Sequence, residues 1–372
     1  MVHIITGLGR GGAETVLYRL LAHQDRRRWP AAVISLSDRG ELGAEIESLN
    51  VPVHAIGMTA GRFSLSGFRR LVRFLREQRP DVVQTWMYHA NLIGGLAARR
   101  AGIRKVMWGL HHTTLDPRRD KRHTIWTARL GGLVSRWVPD RVICCSQATY
   151  DSHLQIGYDA KRMVVIPNGY DLAMFRPDSD ARVQLHAELG LTEAVQLIGM
   201  AARFHPQKDH HNLIAAARLI GARREDAHFL LCGEGVNPEN GELAQWIEDA
   251  GAQDRFHLLG VRRDMPRIYA GLDVSVLASY GEGFPNVVAE GMACGTPTVA
   301  TDVGDVARIV GDAGWVVPPG QPVAMADALL EALSLSDVER ESLGKRARAQ
   351  IMEHFSIDSM VARYEALYLS AS

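Results

Sequence analysis

The chain has 372 residues, enough at roughly 100 to 200 residues per domain for two domains with a core each. Its composition, 47% hydrophobic, 23% charged and 7% aromatic, excludes disordered, collagen-like and disulfide-scaffold classes. Basic and acidic residues balance at 42 each, but residues 1–170 hold 25 basic against 13 acidic (+12) and residues 171–372 hold 17 against 29 (−12), so the first half suits an anionic partner.

Short apolar segments alternate with amphipathic helical patterns, which predicts parallel sheets covered by helices on both faces. In the first half, strands are expected at residues 2–6, 31–36, 53–56, 82–85, 106–109, 141–145 and 164–166. Between them, Ala13, Val16, Leu17, Leu20 and Leu21 form one helical stripe, and Phe68, Leu71, Val72 and Leu75 form another. Residues 167–182, rich in Pro, Gly and Asp, follow neither period and read as a linker. A second series of strands is expected at 195–201, 229–232, 256–259, 274–278, 298–300 and 315–317. The expected fold is α/β, two doubly wound Rossmann-like domains facing across a cleft, with ligands beyond the carboxyl ends of the strands. No apolar run approaches the 18 or so residues needed to cross a bilayer, and the chain opens on strand-like VHIIT, so a cytoplasmic protein is expected. Cys144, Cys145, Cys232 and Cys294 lack metal-ligand spacing and read as buried apolar residues in a reducing compartment.

Three constellations carry chemistry. Gly7, Gly9, Gly11 and Gly12 lie between the first strand and a helix starting near Ala13, where backbone amides can approach a phosphate. The same spacing fits a dinucleotide turn with Asp38 as the ribose acid, or a tight turn without a ligand. In the second domain Arg203 follows its first strand and Lys208 precedes a helix near Asp209, a pair of cations suited to neutralising a departing diphosphate. His205, His210 and His211 nearby lack a matching ligand set, so no metal is expected. The third constellation is the segment 279–305. A loop carries Glu282, a helix begins near Pro285, the amides of Gly283, Phe284 and Asn286 lie at its start, and Glu290 follows one turn later. Two carboxylates so placed can accept hydrogen bonds from separate hydroxyls of a polyol.

With GGAE, TWMYHANLIGGLAAR, GLHHTT, IPNGYD, ARFHPQKD, CGEG and EGFPNVVAE, the chain resembles glycosyltransferase family 4, retaining enzymes of the GT-B fold, over nearly its full length. Residues 86–91 further resemble the branch that builds bacterial exopolysaccharide and lipopolysaccharide. The resemblance implies an acceptor-binding domain at 1–170, a nucleotide-sugar-binding domain at 171–355, and a helix over 356–372 crossing back to the first domain. Glu290 would hold the donor ribose, Glu282 the hydroxyls of the donor sugar, and Arg203 and Lys208 the diphosphate. Amides near Phe284, Pro285 and Asn286 would complete the pocket, Gly11 and Gly12 would border the reaction centre, and His112, with His111 as its neighbour, would lie near the transferred sugar.

The implied reaction is hexosyl transfer with retention and without a metal cofactor, from a uridine-linked donor first and guanosine-linked mannose second. The implied acceptor is a glycan or a polyprenyl-diphosphate-linked sugar, and no nucleic acid is involved. An anionic membrane surface is a further expected partner, met by the helix bearing Phe68, Leu71, Val72 and Leu75 beside Arg69, Arg70, Arg73 and Arg76, with core packing as the alternative for that stripe. Other readings are a sugar-nucleotide epimerase, a catalytically silent nucleotide-sugar-binding partner, and a dehydrogenase that would leave the second domain's motifs unused.

Overall fold

The computed structural model describes residues 1–9, 11–59, 64–112 and 122–370. Arg10, Thr113 and Thr114, in motifs singled out above, and Arg118, Arg119 and Lys121, part of the basic excess of the first half, lie outside the described residues. The chain forms two compact units, Met1–Gly169 with Ile357–Ser372, and Tyr170–Ser356.

In the first unit the order is β1 (Val2–Ile5), α1 (Gly12–His23), β2 (Ala32–Ser35), α2 (Leu42–Ser48), β3 (Val53–Ala55) and α3 (Leu65–Gln78). Then come β4 (Val82–Trp86), α4 (Tyr88–Ala101), β5 (Lys105–Leu110), α5 (Arg122–Val134), β6 (Arg141–Cys144), α6 (Gln147–Gln155) and β7 (Met163–Val165). Among the described residues these strands make one parallel sheet of order β3-β2-β1-β4-β5-β6-β7, with Ile4 opposite Ile34 on one side and Thr85 on the other. Every residue of β1 and β4 is buried, as strands covered on both faces require. Alternation sends Ile4, Val83, Val106 and Trp108 into one core with α3 and α4, and Ile5, Val82, Trp86 and Met107 into another with α1.

The second unit continues with α7 (Ala181–Leu189), β8 (Gln196–Ala201), α8 (His210–Gly221), β9 (Ala227–Cys232), α9 (Gly241–Asp249), β10 (Phe256–Leu258) and α10 (Met265–Gly271). It closes with β11 (Val274–Leu277), α11 (Asn286–Ala293), β12 (Thr298–Thr301), α12 (Val306–Val310), β13 (Trp315–Val317), α13 (Pro322–Leu333) and α14 (Asp337–His354). Its described strands form a second parallel sheet, β10-β9-β8-β11-β12-β13. Two Rossmann-like sheets of this kind are the GT-B architecture. The last helix, α15 (Ile357–Ser370), belongs to the first unit, where Met360, Val361, Tyr364 and Tyr368 share a core with Leu17, Leu21 and Trp86. Tyr368 Oη donates to Gln84 Oε1, burying a polar pair on the sheet.

One sequence expectation is corrected here. The stripe Phe68, Leu71, Val72 and Leu75 of α3 faces inward: Leu71, Val72 and Leu75 are buried and Phe68 packs against the same core as Val2, Ile34 and Val83. Sequence period cannot say which of two apolar environments a stripe faces, and in α3 the sheet takes it. All four cysteines are buried and none forms a disulfide.

Candidate active site

In a doubly wound sheet the chain reverses direction of growth at one point, and the loops leaving the two strands there diverge to open a crevice. In the second unit that point lies between β8 and β11, which pair through Ile198–Val274 and Gly199–Ser275. The loop after β8 carries Arg203 and Lys208, and the loop after β11 carries Glu282. The structure brings two of these together. Lys208 Nζ lies 2.5 Å from Glu282 Oε1, with side chains 20% and 11% exposed, so the pair bridges the two loops in a mostly dry setting. Ser279 Oγ donates to the same carboxylate oxygen at 2.6 Å. Gln207 Nε2 donates to the Gly281 carbonyl, and Tyr280 N to the Gln207 carbonyl at 3.1 Å, so backbone as well as charge ties the loops. Arg203 is exposed and makes no hydrogen bond or ion pair among the described residues, leaving its guanidinium available to an anion.

Two glycines hold these loops close. Gly233, at φ +150°, lies against the Arg203 segment, where an added Cβ would stand 2.1 Å from the Ala202 carbonyl oxygen. Gly304, at φ +59°, would put a Cβ 2.6 Å from the Glu282 carbonyl oxygen and 2.7 Å from that of Gly283. Asp209 adopts the left-handed conformation at φ 49° and caps α8 by accepting from Asn212 N at 3.3 Å, which turns the chain immediately after Lys208.

Beyond Glu282, α11 begins at Asn286 and Pro285 is its N-cap, one position earlier than the first-turn placement expected. Phe284 is buried, stacking on Tyr170 and meeting Phe355 edge-on, so only its backbone can serve a ligand. Asn286 Oδ1 accepts from Tyr170 Oη at 2.6 Å, which commits that side chain atom to anchoring the helix. The first amides of a helix have no intrahelical acceptor, and Gly283 with Pro285 brings the chain to that end. Glu290 is half-buried on α11, close enough to Tyr269 and Cys294 that its charge adds to the burial that raises both of their pKa values. Arg348 of α14 fixes the far end of α11 by donating to the carbonyls of Ala293, Leu172 (2.9 Å) and Phe175 (2.7 Å).

The histidines near Lys208 have separate partners. His205 Nδ1 accepts from Gln207 N at 3.2 Å, His210 packs on Phe204, and His211 meets Trp246 edge-on. Among the described residues no group of three His, Cys, Asp or Glu is placed to hold a metal.

The first unit reverses between β1 and β4. Gly11 caps α1 in extended conformation and Gly12 is its first residue, so the glycine loop does lead into a helix N-terminus. Glu14 follows in the first turn, with burial raising its pKa. Asp38 accepts from Gly40 N at 3.1 Å, a turn-forming role. At the end of β4, Met87 sits at φ 70°, a conformation costing a bulky residue about 1 to 3 kcal/mol, and is held there by Met87 N donating to Gly109 O at 3.0 Å. The adjacent motif residue Asn91 donates to the same carbonyl at 2.9 Å and accepts from Thr85 Oγ1 at 2.6 Å. His111 and His112 leave the end of β5. His111 stacks on Trp86, and burial lowers its pKa to about 4; His112 meets Tyr88 edge-on, and Tyr88 Oη bonds to His153 Nε2 at 2.8 Å. Because His153 Nδ1 faces the Thr149 carbonyl at 2.7 Å and its pKa is lowered to about 4 by burial, its Nε2 is the acceptor for Tyr88.

Residues 10–174 match the family model described as Glycosyltransferase Family 4, and residues 195–335 match that described as Glycosyl transferases group 1. The chain belongs to glycosyltransferase family 4. It is 26% identical over 311 residues, 80% of the chain and 78% of the relative, to the UDP-Gal:alpha-D-GlcNAc-diphosphoundecaprenol alpha-1,3-galactosyltransferase of Escherichia coli. Over 187 residues it is 30% identical to the N-acetyl-alpha-D-glucosaminyl L-malate synthase of Bacillus anthracis, a match spanning 50% of the chain and 48% of that protein. Among solved structures, Anabaena Alr3699/HepE in complex with UDP and glucose superposes with a TM-score of 0.86, covering 99% of each chain at 24% identity, which establishes the likeness of fold. This family 4 glycosyltransferase is thus an enzyme of sugar transfer. Ser279, Gly304 and Arg348 support the site without having been readable from sequence, because none of them carries a local signature of that role.

Proposed function

We propose that the enzyme moves a sugar from a nucleoside-diphosphate donor, uridine-linked in the first instance, to a glycan or polyprenyl-diphosphate-linked acceptor in bacterial surface polysaccharide synthesis. The second unit takes the donor and the first unit the acceptor. The observation that carries the reading is the Lys208–Glu282 pair across the strand reversal, with Arg203 leaving the same edge of the sheet. An ammonium has three N–H donors, and Glu282 with its single 2.5 Å contact leaves two of them for phosphate oxygens. Glu282 keeps a second carboxylate oxygen for sugar hydroxyls, and Glu290 accepts from the ribose. The diphosphoundecaprenol substrate in the name of the Escherichia coli relative supports the acceptor class.

In the reaction the anomeric C–O bond breaks, its electron pair passing to the diphosphate oxygen, where Arg203 and Lys208 offset the new charge without reorganising solvent. The acceptor hydroxyl then bonds to the anomeric carbon on the face just vacated, and its proton goes to the departing diphosphate. Products are an α-glycoside and a nucleoside diphosphate. Gly11, Gly12 and His112 are the first unit's candidates for handling the acceptor, and in the second unit cation side chains take the part of a metal cofactor. Calorimetric titration with uridine diphosphate in the presence of a chelator tests the donor half: binding that weakens in Arg203→Ala and Glu290→Ala supports it, and affinity indifferent to both variants overturns it. Proton NMR of the product decides retention.

A further inference from the structure

Helix α5 is inverted relative to an ordinary surface helix. Its smallest residues, Ala128, Gly131 and Gly132, are buried, and added Cβ atoms on the two glycines would stand 2.5 Å from Tyr158 Oη and 2.6 Å from the Ile156 carbonyl oxygen. That close approach turns the largest residues outward: Trp126 is 70% exposed and, just past the helix, Trp137 is 63% exposed, with Leu130 and Leu133 also exposed. Trp126, Leu130 and Leu133 fall at i, i+4 and i+7, one stripe on the water side of α5, and Trp137 is exposed in the turn that follows it. Arg122, Arg129 and Arg136 are exposed in the same stretch, and residues 121–139 contain no acidic residue. Arg136 lies over the Trp137 ring at 5.2 Å.

The neighbouring helices extend the pattern. α4 packs between α3 and α5 and exposes Leu96. Beyond it, Arg69, Arg73, Arg76 and Arg79 of the α3 segment and Arg100 of α4 line a groove of about 830 Å³ in which Glu77 is the acidic member.

We propose that the outer layer formed by α3, α4 and α5 is a membrane-docking face, with Trp126, Leu130, Leu133 and Trp137 entering the headgroup region of a leaflet rich in anionic phospholipid and the flanking arginines pairing with its phosphates. Tryptophan and leucine on an in-plane helix bordered by arginine is the pattern an anionic interface selects, and the complementarity is to phosphate rather than to a mixed-charge protein surface. The proposal deepens the lipid-linked acceptor reading and rests on it for the choice of occupant. It also moves the docking face from the α3 stripe, which is core, to α5 and the arginine groove.

The test is flotation of the full chain with vesicles of phosphatidylglycerol and phosphatidylethanolamine against vesicles of phosphatidylcholine alone. The expected result is binding to the anionic vesicles, at least tenfold weaker in the Trp126→Ser/Trp137→Ser double variant, and tryptophan fluorescence quenched by brominated lipid in the parent but not in the variant. The Arg69→Ser/Arg73→Ser variant should lose binding at a lower salt concentration than the parent. The proposal is overturned if the parent does not float, if the tryptophan variant floats as well as the parent, or if ultracentrifugation shows a dimer that the tryptophan variant converts to monomer, which would make a second copy the occupant. Titration with uridine diphosphate reads the donor site separately: binding retained in the tryptophan variant leaves the proposed function intact whatever the vesicles show, whereas its absence in the parent strikes the donor reading alone.

Discussion

Replacing Lys208 by alanine removes the cation that bridges the two loops of the second unit's crevice. The lysine is 20% exposed and touches Glu282 at 2.5 Å, so the charge acts where water screens it weakly. Loss of one preorganised donor to a developing oxyanion costs about 2.7 to 4 kcal/mol. At about 1.4 kcal/mol per decade, kcat should fall roughly 100- to 1000-fold. Glu282 keeps its bond from Ser279, so the fold survives with a loss of about 1 to 3 kcal/mol, a melting point lower by several degrees. The assay is release of nucleoside diphosphate from donor and acceptor at saturation, with a melt on the same sample to confirm the native state. A folded variant whose kcat stays within threefold of the parent refutes the assignment of Lys208 to the leaving group. Lys208→Arg separates charge from shape: it retains the cation but not the compact ammonium that fits beside Glu282 and Ser279, and should recover only part of the rate.

Other predictions follow from the same geometry. Glu290→Ala should weaken donor binding roughly 10- to 100-fold by calorimetry, the worth of charge-assisted hydrogen bonds, while leaving the melting point near that of the parent. Gly233→Ala forces a Cβ to within 2.1 Å of the Ala202 carbonyl at a positive φ and should destabilise the fold by at least about 2 kcal/mol in urea, with donor affinity falling because Arg203 is displaced. Arg348→Met strips three carbonyls of their donor and should cost about 2 to 3 kcal/mol. Burial holds His153 and His210 neutral, with pKa values lowered from 6.5 to about 4. The unfolded chain therefore binds protons first on acidification, and stability should be complete above pH 6.5 and decline as the pH falls toward 4, by at most about 3 kcal/mol for each histidine. Denaturation midpoints measured from pH 7 to pH 4 should show that slope, and removing His153 should flatten it.

The alternation of strands and helices was legible because central parallel strands are apolar on both faces and so stand out as short runs: β1, β4 and β11 are each buried along their whole length. Helix starts were readable to within a residue or two where chemistry marks them, as at Asp209, whose carboxylate caps α8, and less well at Pro285, which a first turn and an N-cap both tolerate. What sequence could not supply were pairings across the fold. The contact between Lys208 and Glu282 spans 74 residues, and that from Tyr170 to Asn286 spans 116; neither has a local pattern. Nor could periodicity tell α3 from α5. Both carry apolar stripes beside arginines, and only the glycines of α5, pressed against Tyr158 and Ile156, reveal that its stripe faces outward while that of α3 faces the sheet.

The position of α15 bears on how the protein comes into being. Residues 357–370 complete the core of a unit whose other elements end at Gly169, and Tyr368 reaches Gln84 across 284 residues. At synthesis rates of about 5 to 20 residues per second, roughly 10 to 40 s separate the emergence of Gly169 from that of the closing helix. Throughout that interval Leu17, Leu21 and Trp86 lack the side of their core that Met360, Val361 and Tyr364 supply. The unit translated first is therefore the last to be finished, and a nascent chain paused near Ser356 should be a client for chaperones even though its second unit is already whole.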